Sequence, residues 1–109
     1  MACDETLVGR IRDEVAHKPG VTEKKMFGGV VFMLNGNMLV GVWKDSLIAR
    51  VGKETSEAGQ HQPHVRLMDI TGKPMKAWLM IDPAGIKRDA QLKTWIKLAT
   101  KFVSTLPSK

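Results

Sequence analysis

The sequence has a single cysteine, Cys3, in 109 residues. An internal disulfide is therefore excluded, which agrees with a reducing compartment. No activating motif surrounds Cys3, so it reads as a tolerated free thiol. No apolar run approaches the ~18 residues that a membrane-spanning helix needs. The amino terminus, MACDETLVGRIRDE, is mixed in charge and shows no apolar stretch followed by a small-residue cleavage site, so no secretory leader is expected and the cytoplasm is the expected location. Catalytic vocabulary is equally sparse. No nucleophile, base and orienting partner can be named together, and a capping or turn role accounts for Asp69 and Asp82. Gly28-Gly29 lead into a strand, whereas a phosphate loop leads into a helix. His61 and His64, even with His17 or Cys3, lack the regular spacing of a zinc site. The expectation is a protein without enzymatic activity, cofactor or metal.

What is present is ordinary for a globular chain: 43% hydrophobic and 26% charged residues. The length suits one domain, expected to span residues 1–109, with a single core. A net charge of +6, from 17 basic against 11 acidic side chains, favours acidic partners, nucleic acid among them.

Asp4 to His17 reads as an amphipathic helix, with Leu7, Val8, Ile11 and Val15 at helical spacing, Asp4 as its cap and Pro19-Gly20 as its end. Lys24 to Val51 then carries most of the β-forming residues and reads as a three-stranded meander. Asn35-Gly36 is the pair that a type I′ hairpin requires, because both central positions need positive φ. An unbroken ladder from that turn pairs Met33 with Met38, Phe32 with Leu39 and Val31 with Val40. A second tight turn at Lys44-Asp45 adds the next strand. The ladder divides the meander into two faces. Val31, Met33, Met38, Val40, Val42, Leu47, Ala49 and Val51 form a uniformly apolar face, assigned to the core under the helices. Val30, Phe32, Leu39, Trp43 and Ile48 share the other face with Asn37 and Arg50.

That second face does not alternate apolar with polar residues as a solvated face should. Either the loop from Gln60 to Gly72 folds over it, or it meets a second copy or another protein. On the second reading Phe32, Leu39, Trp43, Ile48 and Arg50 are the interaction residues. Further along, Lys53 to Gln60 is a helix of one or two turns, interrupted by Gly59. Thr71-Gly72-Lys73-Pro74 has turn chemistry, and Lys76 to Ile81 returns to an extended apolar pattern. Asp82-Pro83-Ala84-Gly85 turns the chain into a helix from Asp89 to Leu106, with Leu92, Trp95, Ile96, Ala99, Phe102, Val103 and Leu106 on one side. Lys93, Lys97 and Lys101 line the opposite side, where a solvated face is the expected explanation and phosphate contact the alternative.

The stretches VTEKKMFGGVVFMLNGNMLVGV (Val21 to Val42) and PHVRLMDITGKPMKAW (Pro63 to Trp78), the IDPAG turn and a closing helix with Trp95 before Leu106-Pro107 resemble the amino-terminal domain of the TfoX/Sxy family, named for a regulator of bacterial competence genes. The resemblance covers nearly the whole chain. It implies an α+β, two-layer fold, an antiparallel meander sheet with amino- and carboxy-terminal helices packed on one face, similar to secretion-chaperone-like proteins, many of which are dimers. The competence regulators carry a second domain, and a chain ending at Lys109 is expected to be one of the family's single-domain relatives. The family offers no established catalytic residues to carry over. Trp43 departs from its commoner pattern, which has a small or polar residue there, and Gly59 from an alanine-rich one.

Two functions follow as expectations. The first is a non-enzymatic regulatory or protein-interaction module, self-associating as a homodimer or holding a protein partner through the mixed face and the loop around Arg66 to Met75. The second is nucleic-acid binding through Lys24, Lys25, Arg66, Lys73, Lys76, Lys93, Lys97 and Lys101, although the sequence has no helix-turn-helix, RNP motif or zinc finger and few aromatics among its basic residues. No membrane partner is expected.

Overall fold

In the computed structural model, which describes residues 4–26, 28–68 and 75–107, the chain runs α1 (Glu5–Val15), β1 (Val21–Met26), β2 (Gly29–Leu34), β3 (Asn37–Trp43), β4 (Ser46–Arg50), α2 (Lys53–Gly59), β5 (Val65–Met68), β6 (Met75–Ile81) and α3 (Asp89–Val103), with a 3-10 turn at Pro83–Gly85 before α3. The strands form one antiparallel sheet in the order β1-β2-β3-β4-β6-β5. The expected α+β architecture, an antiparallel sheet with amino- and carboxy-terminal helices, is what the chain adopts.

Local chemistry accounts for the elements. Asp4 caps α1, its Oδ1 accepting from the backbone N–H of Thr6 at 2.9 Å and of Leu7 at 3.2 Å. The apolar stripe Leu7, Val8, Ile11 and Val15 is the side that α1 buries. Asn35 and Gly36 take φ of 53° and 86° and close the β2–β3 hairpin with Leu34 opposite Asn37. Lys44-Asp45 is the second two-residue turn, with Trp43 opposite Ser46 and Lys44 at φ 56°. At the start of α3 the Gln91 Oε1 accepts from the Arg88 N–H at 2.9 Å, while Asp89 accepts from the Arg10 guanidinium at 3.3 Å and ties α3 to α1. Gly59 is buried against the sheet: a Cβ there would lie 2.7 Å from Leu79 Cδ1 and 3.7 Å from the Trp95 ring. It is a point of close approach that lets α2 settle on β6.

The main core lies between sheet and helices, and two strand rows build its floor. One runs Lys25, Val30, Val42, Leu47, Ile81, Val65 across all six strands, and the next runs Glu23, Phe32, Val40, Ala49, Leu79, Leu67. Leu7, Val8, Ile11 and Val15 of α1 and Leu92, Trp95, Ile96, Ala99 and Val103 of α3 complete it.

The faces of the meander differ from the sequence reading in one respect. Met33 pairs with Met38, but Phe32 pairs with Val40, so Leu39 is an extra residue in β3. One inserted residue reverses which side of the sheet β2 shows relative to the rest of β3. Phe32 (1% exposed) and Leu39 (0%) therefore lie in the core beneath the helices, together with Val30 and with Asn37, whose Nδ2 donates to the Pro107 carbonyl at 2.8 Å. Their assignment to the interaction face is corrected accordingly. Val31, Met33 and Met38 move the other way, while Val40, Val42, Leu47, Ala49, Val51, Trp43, Ile48 and Arg50 stay on the sides expected for them.

Candidate interaction surface

The side of the sheet away from the main core has its own character. One row crosses the whole sheet as Lys24, Val31, Gly41, Ile48, Met80, Arg66, with a cation at each end and apolar residues between. Ile48, Trp78 and Met80 form a second buried cluster, with Met38, Trp43 and Ala77 packed against it, and none of these residues belongs to a helix. The centre of the cluster is closed within the chain, Met80 being 0% and Trp78 9% exposed. Met33, Met38, Trp43 and Arg50 around it are half-buried, and Lys24, Lys44 and Arg66 are exposed.

Cations and aromatic rings are matched on this face. The Lys44 ammonium lies 4.6 Å from the Trp43 ring centroid, and the Arg50 guanidinium 5.6 Å from that of Trp78. Such contacts hold a long basic side chain against an apolar floor while leaving its charge available. Arg66 reaches the Met80 sulfur at 3.2 Å and Asp82 at 3.5 Å. No described strand residue on this side carries a carboxylate; Asp82 follows β6, and Glu23 faces the helices, where its carboxylate accepts from Arg12 Nε at 2.9 Å and Nη2 at 2.7 Å. That pairing holds the Glu23 carboxyl below its ordinary range, opposed by a smaller effect of burial.

The expected interaction residues thus divide. Trp43, Ile48 and Arg50 share the open face, whereas Phe32 and Leu39 do not. The sequence reading missed Met33 and Met38, which the bulge moves to this side, Trp78, which lies beyond the assumed end of the meander at Val51, and Lys44, which it read only as a turn residue. The proposed nucleic-acid set divides as well. Lys24 and Arg66 occupy opposite ends of the open-face row, Lys25 faces the helix side, and Lys93, Lys97 and Lys101 are exposed on α3. Lys73 lies outside the described residues, as do Asp69, Cys3 and the Thr71-Gly72 turn, and Lys76 is described only as backbone of β6.

Of the Gln60 to Gly72 loop, the alternative cover for that face, the described part lies elsewhere. Val65–Met68 is an edge strand, and Gln62, Pro63 and His64 line a cleft of ≈ 310 Å³ with Gln91, Thr94, Trp95 and Leu98 on the helix side. Among the described residues no three His, Cys, Asp or Glu side chains come together as metal ligands, and no helix is long and apolar enough to cross a membrane.

The fold and this surface define a class: an open antiparallel sheet with helices on one side and a basic, methionine- and tryptophan-bearing face on the other. The chain belongs to the TfoX N-terminal domain family, whose model matches residues 13–103. Comparison with curated proteins and with solved structures gave no match.

Proposed function

We propose that this chain is a non-enzymatic protein-interaction module of the TfoX N-terminal type, and that the open sheet face receives an acidic protein partner. One observation carries the reading: half-buried Met33, Met38 and Trp43 are bordered by Lys24, Lys44 and Arg50, with no strand carboxylate on that side among the described residues. Trp, Met and Arg are the residues that interface centres enrich, and flexible methionines adapt to a partner's shape. A second copy docked symmetrically by the same face would set cations against cations. An apolar segment flanked by Asp or Glu meets both requirements, so an acidic partner fits this face better than self-association does.

The test uses Trp43→Ala and Arg50→Glu, with circular dichroism and thermal unfolding to confirm that both variants fold. Affinity capture from native cells followed by mass spectrometry should recover a partner with an acidic, apolar-centred segment on wild type and lose it on both variants. Retention by both would remove the face from function. Sedimentation that shows a dimer dissolved by Trp43→Ala would replace the acidic partner with a second copy.

A further inference from the structure

The helical layer carries a second surface, built by different residues from those of the open face. A cleft of ≈ 260 Å³ lies between the end of α1 and the middle of α3, lined by Glu14, Lys18, Lys93, Ile96 and Lys97. Three ammonium groups surround it against one carboxylate. None of the three lysines is in an ion pair among the described residues. Lys93 and Lys97 stand one helical turn apart, about 6 Å along the axis, and project from the same side of α3. The only carboxylate on α3 is Asp89, which Arg10 already engages.

We infer that this cleft binds the phosphodiester backbone of a nucleic acid, independently of sequence and independently of the protein-docking face. Lys93 and Lys97 meet successive phosphates along α3, and Lys18 closes on the chain from the turn after α1. Ile96 forms an apolar floor with no group that reads a base edge, so selectivity among sequences is not expected. Glu14 opposes the anion and keeps the affinity modest. The assignment differs from the sequence-derived basic set: it adds Lys18 and Glu14, keeps Lys93 and Lys97, and leaves out Lys24, Lys25, Arg66 and Lys76 of the sheet, Lys101 of α3, and Lys73.

Fluorescence anisotropy with a labelled single-stranded oligonucleotide and with a duplex tests this. For three phosphate contacts, affinity should fall roughly 20- to 40-fold between about 50 and 200 mM salt. The Lys93→Gln/Lys97→Gln double variant should leave only about a 3-fold dependence over the same range. Lys18→Gln should weaken binding and Glu14→Gln should tighten it, whereas Lys25→Gln on β1 should do neither. Lys25, Lys93 and Lys97 are exposed and Glu14 and Lys18 half-buried, and none belongs to the core, so circular dichroism should show unchanged folds. Absence of binding at low salt, or an equal loss from Lys25→Gln and from the cleft variants, would overturn the inference, the latter by showing that only net charge acts. Trp43→Ala should bind the oligonucleotide as wild type does, so the two surfaces fail or succeed separately.

Discussion

Gly29 stands where β2 passes close to the backbone of β3. A Cβ at this position would overlap the Val42 carbonyl oxygen and lie 3.5 Å from Trp43 Cα. Backbone has little room to give, so Gly29→Ala should destabilise the protein by about 1–3 kcal/mol, outweighing the entropy that alanine removes from the unfolded chain. Gly9 offers the opposite case. It lies inside α1, and a Cβ there would meet nothing within 4 Å. Gly9→Ala should therefore add about 0.5–1 kcal/mol through helix propensity alone. Urea unfolding of the two variants checks both signs. The sequence points to close packing or a bulge near Gly28-Gly29 because these glycines fall opposite bulky residues. It cannot show the Leu39 bulge, since consecutive Met38, Leu39 and Val40 are all apolar and fit either register. That ambiguity alone puts Phe32 on the wrong face in the sequence reading.

The elements that escape the sequence reading are the two edges of the sheet. β1 carries Glu23, Lys24 and Lys25 in succession, and β5 is four residues long with Arg66 in it. Short or charged edge strands resist pairing with other chains, and the same features hide their periodicity. The central strands and the long helices are legible because burial imposes a clear pattern on them. α2 is legible too, although its seven residues are too few to stand alone. Its anchor is Ser56, which is fully buried: Oγ donates to the Lys53 carbonyl at 2.9 Å and accepts from the Ala77 N–H at 3.1 Å. Ala77 holds φ at 79°, a conformation that this bond helps to fix. Ser56→Ala strips the Ala77 N–H of its partner and should cost about 1–3 kcal/mol. Hydrogen exchange should quicken at Ala77 more than at Val40 in the centre of the sheet; equal protection at Ala77 in variant and wild type would show that Ser56 does not anchor α2.

At the scale of the whole molecule, charge joins the layers as well as decorating them. Arg12 of α1 and Glu23 of the edge strand β1 form a two-point ion pair across the boundary between helices and sheet. Because this pair lowers the Glu23 carboxyl in the folded state, its contribution is present above the unfolded value, about 4.3 for a glutamate, and is lost as pH falls through the lowered folded value. The Arg12 guanidinium, raised by the same bond, stays charged throughout that window. Acid acts on the rest of the chain in the same direction: protonating carboxylates increases a charge that is already +6, and self-repulsion grows. Glu23→Gln separates the two effects. At neutral pH the variant should be slightly less stable than wild type, the pair being largely solvent-exposed and partly screened. Below the folded Glu23 value the two proteins should unfold at the same urea concentration, because wild type has then lost the same charge. The general acid destabilisation should persist in both and be relieved by salt. Urea midpoints measured from neutral pH down to about pH 3 follow both trends. A wild-type advantage that persists unchanged at the acid end would assign Glu23 a packing role in place of an electrostatic one.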